Sequence, residues 1–147
     1  MKKKTILFTV FALFLLVGGM GCEEEANKLF FENYILDNVS CQWRKFEMDT
    51  VIIVNTTTEL EKILMCTENY PSIDFNNYSL VFAGGTAIHG VNIVVKNLYE
   101  VSDNNLILEL EDKNSGFVVP TEETPWNVAI LTHKLFQNTT IKLQIKK

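Results

Sequence analysis

The sequence predicts a mainly β (α+β) domain, an antiparallel β-sandwich or half-open barrel with one helix packed on the sheet. Three observations carry the prediction. Short runs of β-branched and aromatic residues recur through the second half of the chain, and one of them, Leu106 to Glu111, alternates strictly between two faces. Clear helical spacing occurs in one stretch only, Thr56 to about Cys66. Turn-forming polar clusters separate the apolar runs, so adjacent strands are expected to pair antiparallel.

Lys28 to Asp37 is rich in apolar residues but fits neither period, and its type stays open. Cys41, Trp43 and Phe46 suggest a short strand that bends near its end. Val51-Ile52-Ile53-Val54 is a continuous β-branched run of buried-strand length, and Asn55 ends it. Thr56 followed by Glu59 forms a capping-box pattern, and Leu60, Ile63 and Leu64 then define a narrow apolar stripe. A helix with such a stripe belongs on the outside of a sheet, and Tyr70-Pro71 closes the helical region. Tyr78 to Phe82, Val91 to Val95, Leu98 to Val101, Leu106 to Leu110, Val128 to Leu131 and Ile141 to Ile145 read as strands. Turns are expected at Ser102 to Asn105 and at Gln137-Asn138, with a glycine-bracketed segment at Gly84 to Gly90. A longer loop runs from Asp112 to Pro125, with Phe117 to Val119 as a short strand inside it.

The beginning of the chain sets its address. Lys2, Lys3 and Lys4 precede twelve apolar-rich residues from Ile6 to Val17, and Gly18, Gly19 and Gly21 lead to Cys22. That run fits the core of an export signal and falls short of the ~20 residues a spanning helix needs. The ending resembles the lipobox of bacterial lipoproteins, with Gly19 in place of the usual aliphatic residue. Residues 1–21 are therefore expected to be removed, and Cys22 to carry diacylglyceryl and palmitate-type chains that hold the protein to a membrane. Plain cleavage after Gly21 and an uncleaved anchor stay open. Glu23, Glu24 and Glu25 make residues 22–27 an acidic tether; the run resembles the signal that sends Bacteroidetes lipoproteins to the outer face of the outer membrane, and equally suits a solvated spacer. The expected address is the cell envelope, as an outer-membrane lipoprotein exposed at the cell surface.

Residues 28–147 then form one domain, too short for two cores. Loss of the leader lowers the 13 basic residues to 10 against 18 acidic ones, a net charge of −8. Nucleic acid is excluded as an expected partner, because no basic face is available to neutralise phosphates. With Cys22 acylated, Cys41 and Cys66 remain as an even pair outside the reducing cytoplasm, which favours a disulfide over two buried thiols.

The chemical inventory is thin. His89 and His133 stand 44 positions apart, neither with a second ligand at metal-binding spacing, so no metal and no cofactor are expected. Neither a nucleophile elbow nor a phosphate-binding glycine loop occurs. Strand alternation puts Glu109 and Glu111 on one solvated face, and Glu122 and Glu123 in a polar loop, with no partner nucleophile for either pair. An enzyme is not expected. Candidate binding residues are Gly84, Gly85, Ile88, His89 and Gly90, where glycine would let a partner's backbone approach, together with Trp126. Asp49-Thr50-Val51 resembles the Bacteroidetes acceptor for O-glycosylation at Thr50; Thr50 serves equally as a β-former at a strand edge.

The order of "DTVIIVNTTTELEKIL", "IDFNNYSLVFAGG", "HGVNIVV" and "TTIKLQIK" between Asp49 and Lys146 resembles the C-terminal domain of the PrcB protease-complex lipoproteins and of related Bacteroidetes lipoproteins. Members of that group often carry a Thr-Gly-Gly-Tyr turn where this chain has Ala87 to Val91. The resemblance implies an accessory lipoprotein that binds or stabilises another envelope or secreted protein, such as a surface protease complex. The leading expectation is thus a non-catalytic, protein-binding lipoprotein. Two alternatives stay open: a protease inhibitor that inserts the Gly84–Gly90 and Asp112–Trp126 loops into a cleft, and a glycan-binding module that stacks sugars on Trp43 and Trp126.

Overall fold

The computed structural model describes residues 27–37, 40–87, 92–113 and 123–146. Among these residues the chain is mainly β, with two four-stranded sheets packed face to face and one short helix. In chain order the elements are β1 (Asn27–Lys28), β2 (Phe31–Asn33), β3 (Thr50–Val54), α1 (Thr57–Ile63), β4 (Tyr78–Ala87), β5 (Ile93–Ser102), β6 (Asn105–Asp112), β7 (Thr124–His133) and β8 (Thr140–Lys146). The first sheet has the order β1-β5-β6-β8 and the second β2-β7-β4-β3.

The second sheet is the middle layer of three. On one side Val81, Ala83, Ile130 and Trp126 meet Leu98, Leu106, Leu108 and Leu110 of the first sheet. On the other side Leu80, Phe82, Val54 and Ala129 meet Tyr34, Cys41, Leu60, Ile63 and Leu64. Covering both faces explains why β4 lacks alternation: every residue from Ser79 to Gly85 is buried. Filling a site such as that of Phe82 stabilises the fold by about 1.5–3 kcal/mol.

Local chemistry fixes α1. The Thr56 hydroxyl accepts from the Glu59 amide at 3.2 Å, and the Glu59 carboxylate accepts from the Asn55 amide at 2.7 Å, a capping box displaced by one residue. The helix stops at Ile63, earlier than expected, because Leu64 turns extended and its neighbours bond elsewhere. Met65 donates to the Gln42 carbonyl and Arg44 to the Ile63 carbonyl, so the strand expected over Cys41 to Phe46 reduces to a bridge between Trp43 and Leu64. The Cys41–Cys66 disulfide fastens the same two segments across 25 positions, which adds roughly 3 kcal/mol in the chain-entropy model.

Several pairings differ from the expected run of hairpins. The undecided Lys28–Asp37 region, with Asn27 before it, supplies β1 to one sheet and β2 to the other. Ile93–Val95, from the run expected over Val91–Val95, and Leu98–Val101 belong to one strand, β5, whose register shifts at Lys96 and again at Val101, while Val91 lies outside the described residues. The turn at Asp103-Asn104 does join a hairpin, and Asn104 takes the positive φ it needs. Gly84 and Gly85 lie within β4 instead of a loop, and β4 and β5 belong to different sheets. Likewise β7 and β8 do not pair; β8 runs parallel to β6 in the opposite sheet.

Candidate functional site

A depression in the second sheet lies at the N-terminal end of β7. It encloses about 450 Å³ and is lined by Tyr34, Leu36, Trp43, Lys45, Pro125 and Asn127 among others. Pairing explains why it is open. β2 covers β7 only from Thr132 to Ile130, and its last bond to this strand is Tyr34 N–H to the Ala129 carbonyl at 2.8 Å. Because Ala129 points its carbonyl at β2 while Lys134 donates to Asn77 beside β4, backbone groups of odd-numbered residues face the β2 side. Asn127 N–H and C=O and Pro125 C=O therefore face that side, where no described strand follows Tyr34. Pro125 fits within a ten-residue strand because the donor it lacks would point away from β4.

The wall opposite this edge is aromatic and fixed. Trp43 packs on Phe82 at 4.9 Å and meets Tyr34 edge-on at 6.0 Å. Burial, with Tyr70 as the smaller cause, pushes the Tyr34 phenol up to about 12, and its hydroxyl donates to the Pro71 carbonyl at 2.6 Å. Tyr34 is thus a neutral, anchored ring at neutral pH. The depression offers apolar surface, one cation at Lys45, amide groups at Gln42 and Asn127, and an open strand edge.

A second polar constellation lies on the outer face of the first sheet. Glu109 is 5 % exposed, and its carboxylate accepts from Lys146, Tyr99 and Asn97, the last at 2.7 Å. Those bonds, that of Lys146 foremost, hold the carboxyl down to about 2 against the opposing effect of burial. The same contact raises the Lys146 ammonium and the Tyr99 phenol. A carboxylate so engaged has no proton to give near neutral pH and no free oxygen at which to take one. Glu109 is therefore not the solvated acid that alternation predicts; only Glu111, paired with Lys96 at 2.9 Å, keeps an open position.

The structure relocates several sequence-predicted residues. Trp126 is 6 % exposed and packs between the sheets, so it presents no stacking face; even-numbered residues of β7 point inward there. Gly84 and Gly85 serve close packing: a Cβ would meet the Phe82 ring at 2.9 Å from Gly84, and the Asp49 backbone at 3.1 Å from Gly85. Thr50 opens β3 half-buried, with its hydroxyl donated to the Met48 carbonyl at 2.8 Å. Cys41 and Cys66 come together as a disulfide. Cys22, Ile88, His89, Gly90 and most of the Asp112–Pro125 loop lie outside the described residues. No group of three or more His, Cys, Asp or Glu suited to a metal occurs among the described residues.

Sequence reasoning missed both constellations. Pro125 inside an apolar strand was the available signal for an open edge, whereas counting back from the Asp103-Asn104 turn would set Leu98 opposite Glu109, and only the register shift at Val101 brings Asn97 and Tyr99 to its face. Comparisons with protein-family models, curated proteins and solved structures return no match for this chain.

Proposed function

We propose that this chain is a non-catalytic cell-envelope lipoprotein, held to the membrane through acylated Cys22, that binds a protein partner at the open edge of β7. The observation that carries the reading is the depression of about 450 Å³ placed beside that unpaired edge. An extended segment of a partner would exchange main-chain hydrogen bonds with Asn127 and lay alternate side chains against Leu36 and Trp43, with Lys45 attracting acidic neighbours. Edge addition takes its affinity from the backbone and its selectivity from the pocket, which suits an accessory subunit that recognises a strand or terminus. The resemblance to PrcB-type lipoproteins supports a secreted or surface protease complex as the partner, at the outer membrane.

The test is capture of partners from native envelope membranes by the intact lipoprotein and by Asn127→Pro. The substitution removes the edge donor and leaves the β4 side of the ladder unchanged. Loss of a specifically captured protein at an unchanged unfolding midpoint is the expected result. Equal capture by wild type, Asn127→Pro and Lys45→Glu would reject this edge as the binding site.

A further inference from the structure

Among the described residues, every exposed large aromatic side chain lies at one end of the sandwich, the end at which the chain enters. Phe30 is 62 % exposed, Phe136 73 % and Tyr78 40 %. Phe30, His133 and Tyr78 form a row across β2, β7 and β4, with ring centres 6.4 Å and 6.1 Å apart. Phe136 belongs to the adjoining β7–β8 connection, beside a recess shared with Leu29, Leu106 and Leu135. Asn27 enters opposite Glu100, next to the same recess, and Val101 adds a further exposed apolar side chain nearby.

The backbone under these rings is tied down. The Thr132 hydroxyl donates to the Phe30 carbonyl at 2.9 Å, the Leu135 amide to the Ser79 hydroxyl at 2.9 Å, and the Lys134 ammonium to the Phe75 carbonyl at 2.6 Å. Their exposure is therefore a property of a held surface. Charge at this end is mixed, with Lys28 and Lys134 against Glu32, Glu100 and Asp103.

We infer that this end rests on the lipid surface, with Phe30 and Phe136 entering the bilayer interface and Tyr78 and His133 lying at headgroup level. The inference rests on the proposed acylation of Cys22. Five peptide units separate Cys22 from Asn27, so the entry point lies no more than about 18 Å from the anchor. Ten-residue strands extend about 33 Å, so the entry end is the part of the sandwich the tether holds near the bilayer. Aromatic rings with a polar tip favour the zone between headgroup and acyl chain, and the mixed charge makes the contact apolar and weakly salt-dependent.

The experiment reconstitutes the mature acylated protein, beginning at Cys22, in phosphatidylethanolamine–phosphatidylglycerol vesicles containing bromine-labelled acyl chains. Phe30→Trp and Phe136→Trp are compared with Ile35→Trp and Met48→Trp, which replace exposed apolar residues elsewhere. The added fluorescence at positions 30 and 136 is expected to be quenched several-fold more than at 35 and 48, with little change on adding salt. Full acylation and vesicle flotation without selective quenching at 30 or 136 would overturn the docking while leaving the anchor intact. A chain without acyl mass that fails to float would overturn the anchor and the docking together. Equal quenching at all four positions would mean the domain has no preferred face toward the lipid and would also overturn the inference.

Discussion

The Glu109 carboxylate carries a linkage between pH and folding. Its pKa is about 2 in the folded chain against an ordinary value near 4.5, so its contribution is fully present above about pH 4.5 and is lost as pH falls toward 2. Glu109→Gln should therefore be less stable than wild type at neutral pH, and the gap should narrow steadily through that acid window. Urea midpoints followed from neutral pH to about pH 2 check this, and parallel curves for the two proteins would refute it. The partner set explains why the residue was only half legible. Alternation placed Glu109 outward correctly, but covering it takes Asn97 and Tyr99 from β5 and Lys146 from β8. Lys146 follows Glu109 by 37 positions, and a period in the sequence carries no information about a neighbour so remote. Trp126 failed for a related reason: its inward direction follows from pairing opposite Gly85 across a ladder whose register the sequence did not reveal.

At the scale of elements, local signals were reliable where one residue's chemistry decides. Thr56 and Glu59 cap α1, Asn104 turns the β5–β6 hairpin, and cysteine parity anticipates the Cys41–Cys66 bond. Glycine was ambiguous, because a flexible loop and a crowded strand both select it. In β4 crowding is the reason: Asp49, just before β3, crosses Gly85 so closely that a Cβ would lie 3.1 Å from its backbone nitrogen and Cα. Gly85→Ala must separate β3 from β4 or bend β4, which should cost about 1–3 kcal/mol, the range for overpacking. A lowered denaturation midpoint is the expected measurement. An unchanged midpoint would show that the start of β3 can move at little cost, and would restore Gly85 as a candidate for flexibility rather than packing.

Across the whole molecule, hydrophobic pattern specified faces and left the neighbours undetermined. Among the described strands, only β3 with β4 and β5 with β6 are both sequential and paired; β1–β5, β2–β7, β4–β7 and β6–β8 join distant segments. The layering follows from composition, since β4 is apolar on both faces and must lie between two covers. The strand order depends on which edges remain to be covered, and β8 takes the last of them. It lies parallel to β6 from Thr140 to Lys146 and brings Ile141 and Leu143 against the inter-sheet core. Without it, the β6 edge would present unpaired backbone beside Leu106, Leu108 and Leu110, an apolar template of the kind that promotes association. β8 itself is a guarded edge, because Lys142, Gln144 and Lys146 alternate with its inward residues. Truncation before Thr140 should therefore abolish cooperative unfolding and convert the folded domain into aggregates, more severely than the loss of two half-buried aliphatic side chains would. Paired measurements on the truncated chain and on Ile141→Ala/Leu143→Ala separate the two contributions. A truncated chain that stays monomeric and melts like the double variant would mean that β8 supplies only apolar area, and that the β6 edge needs no partner.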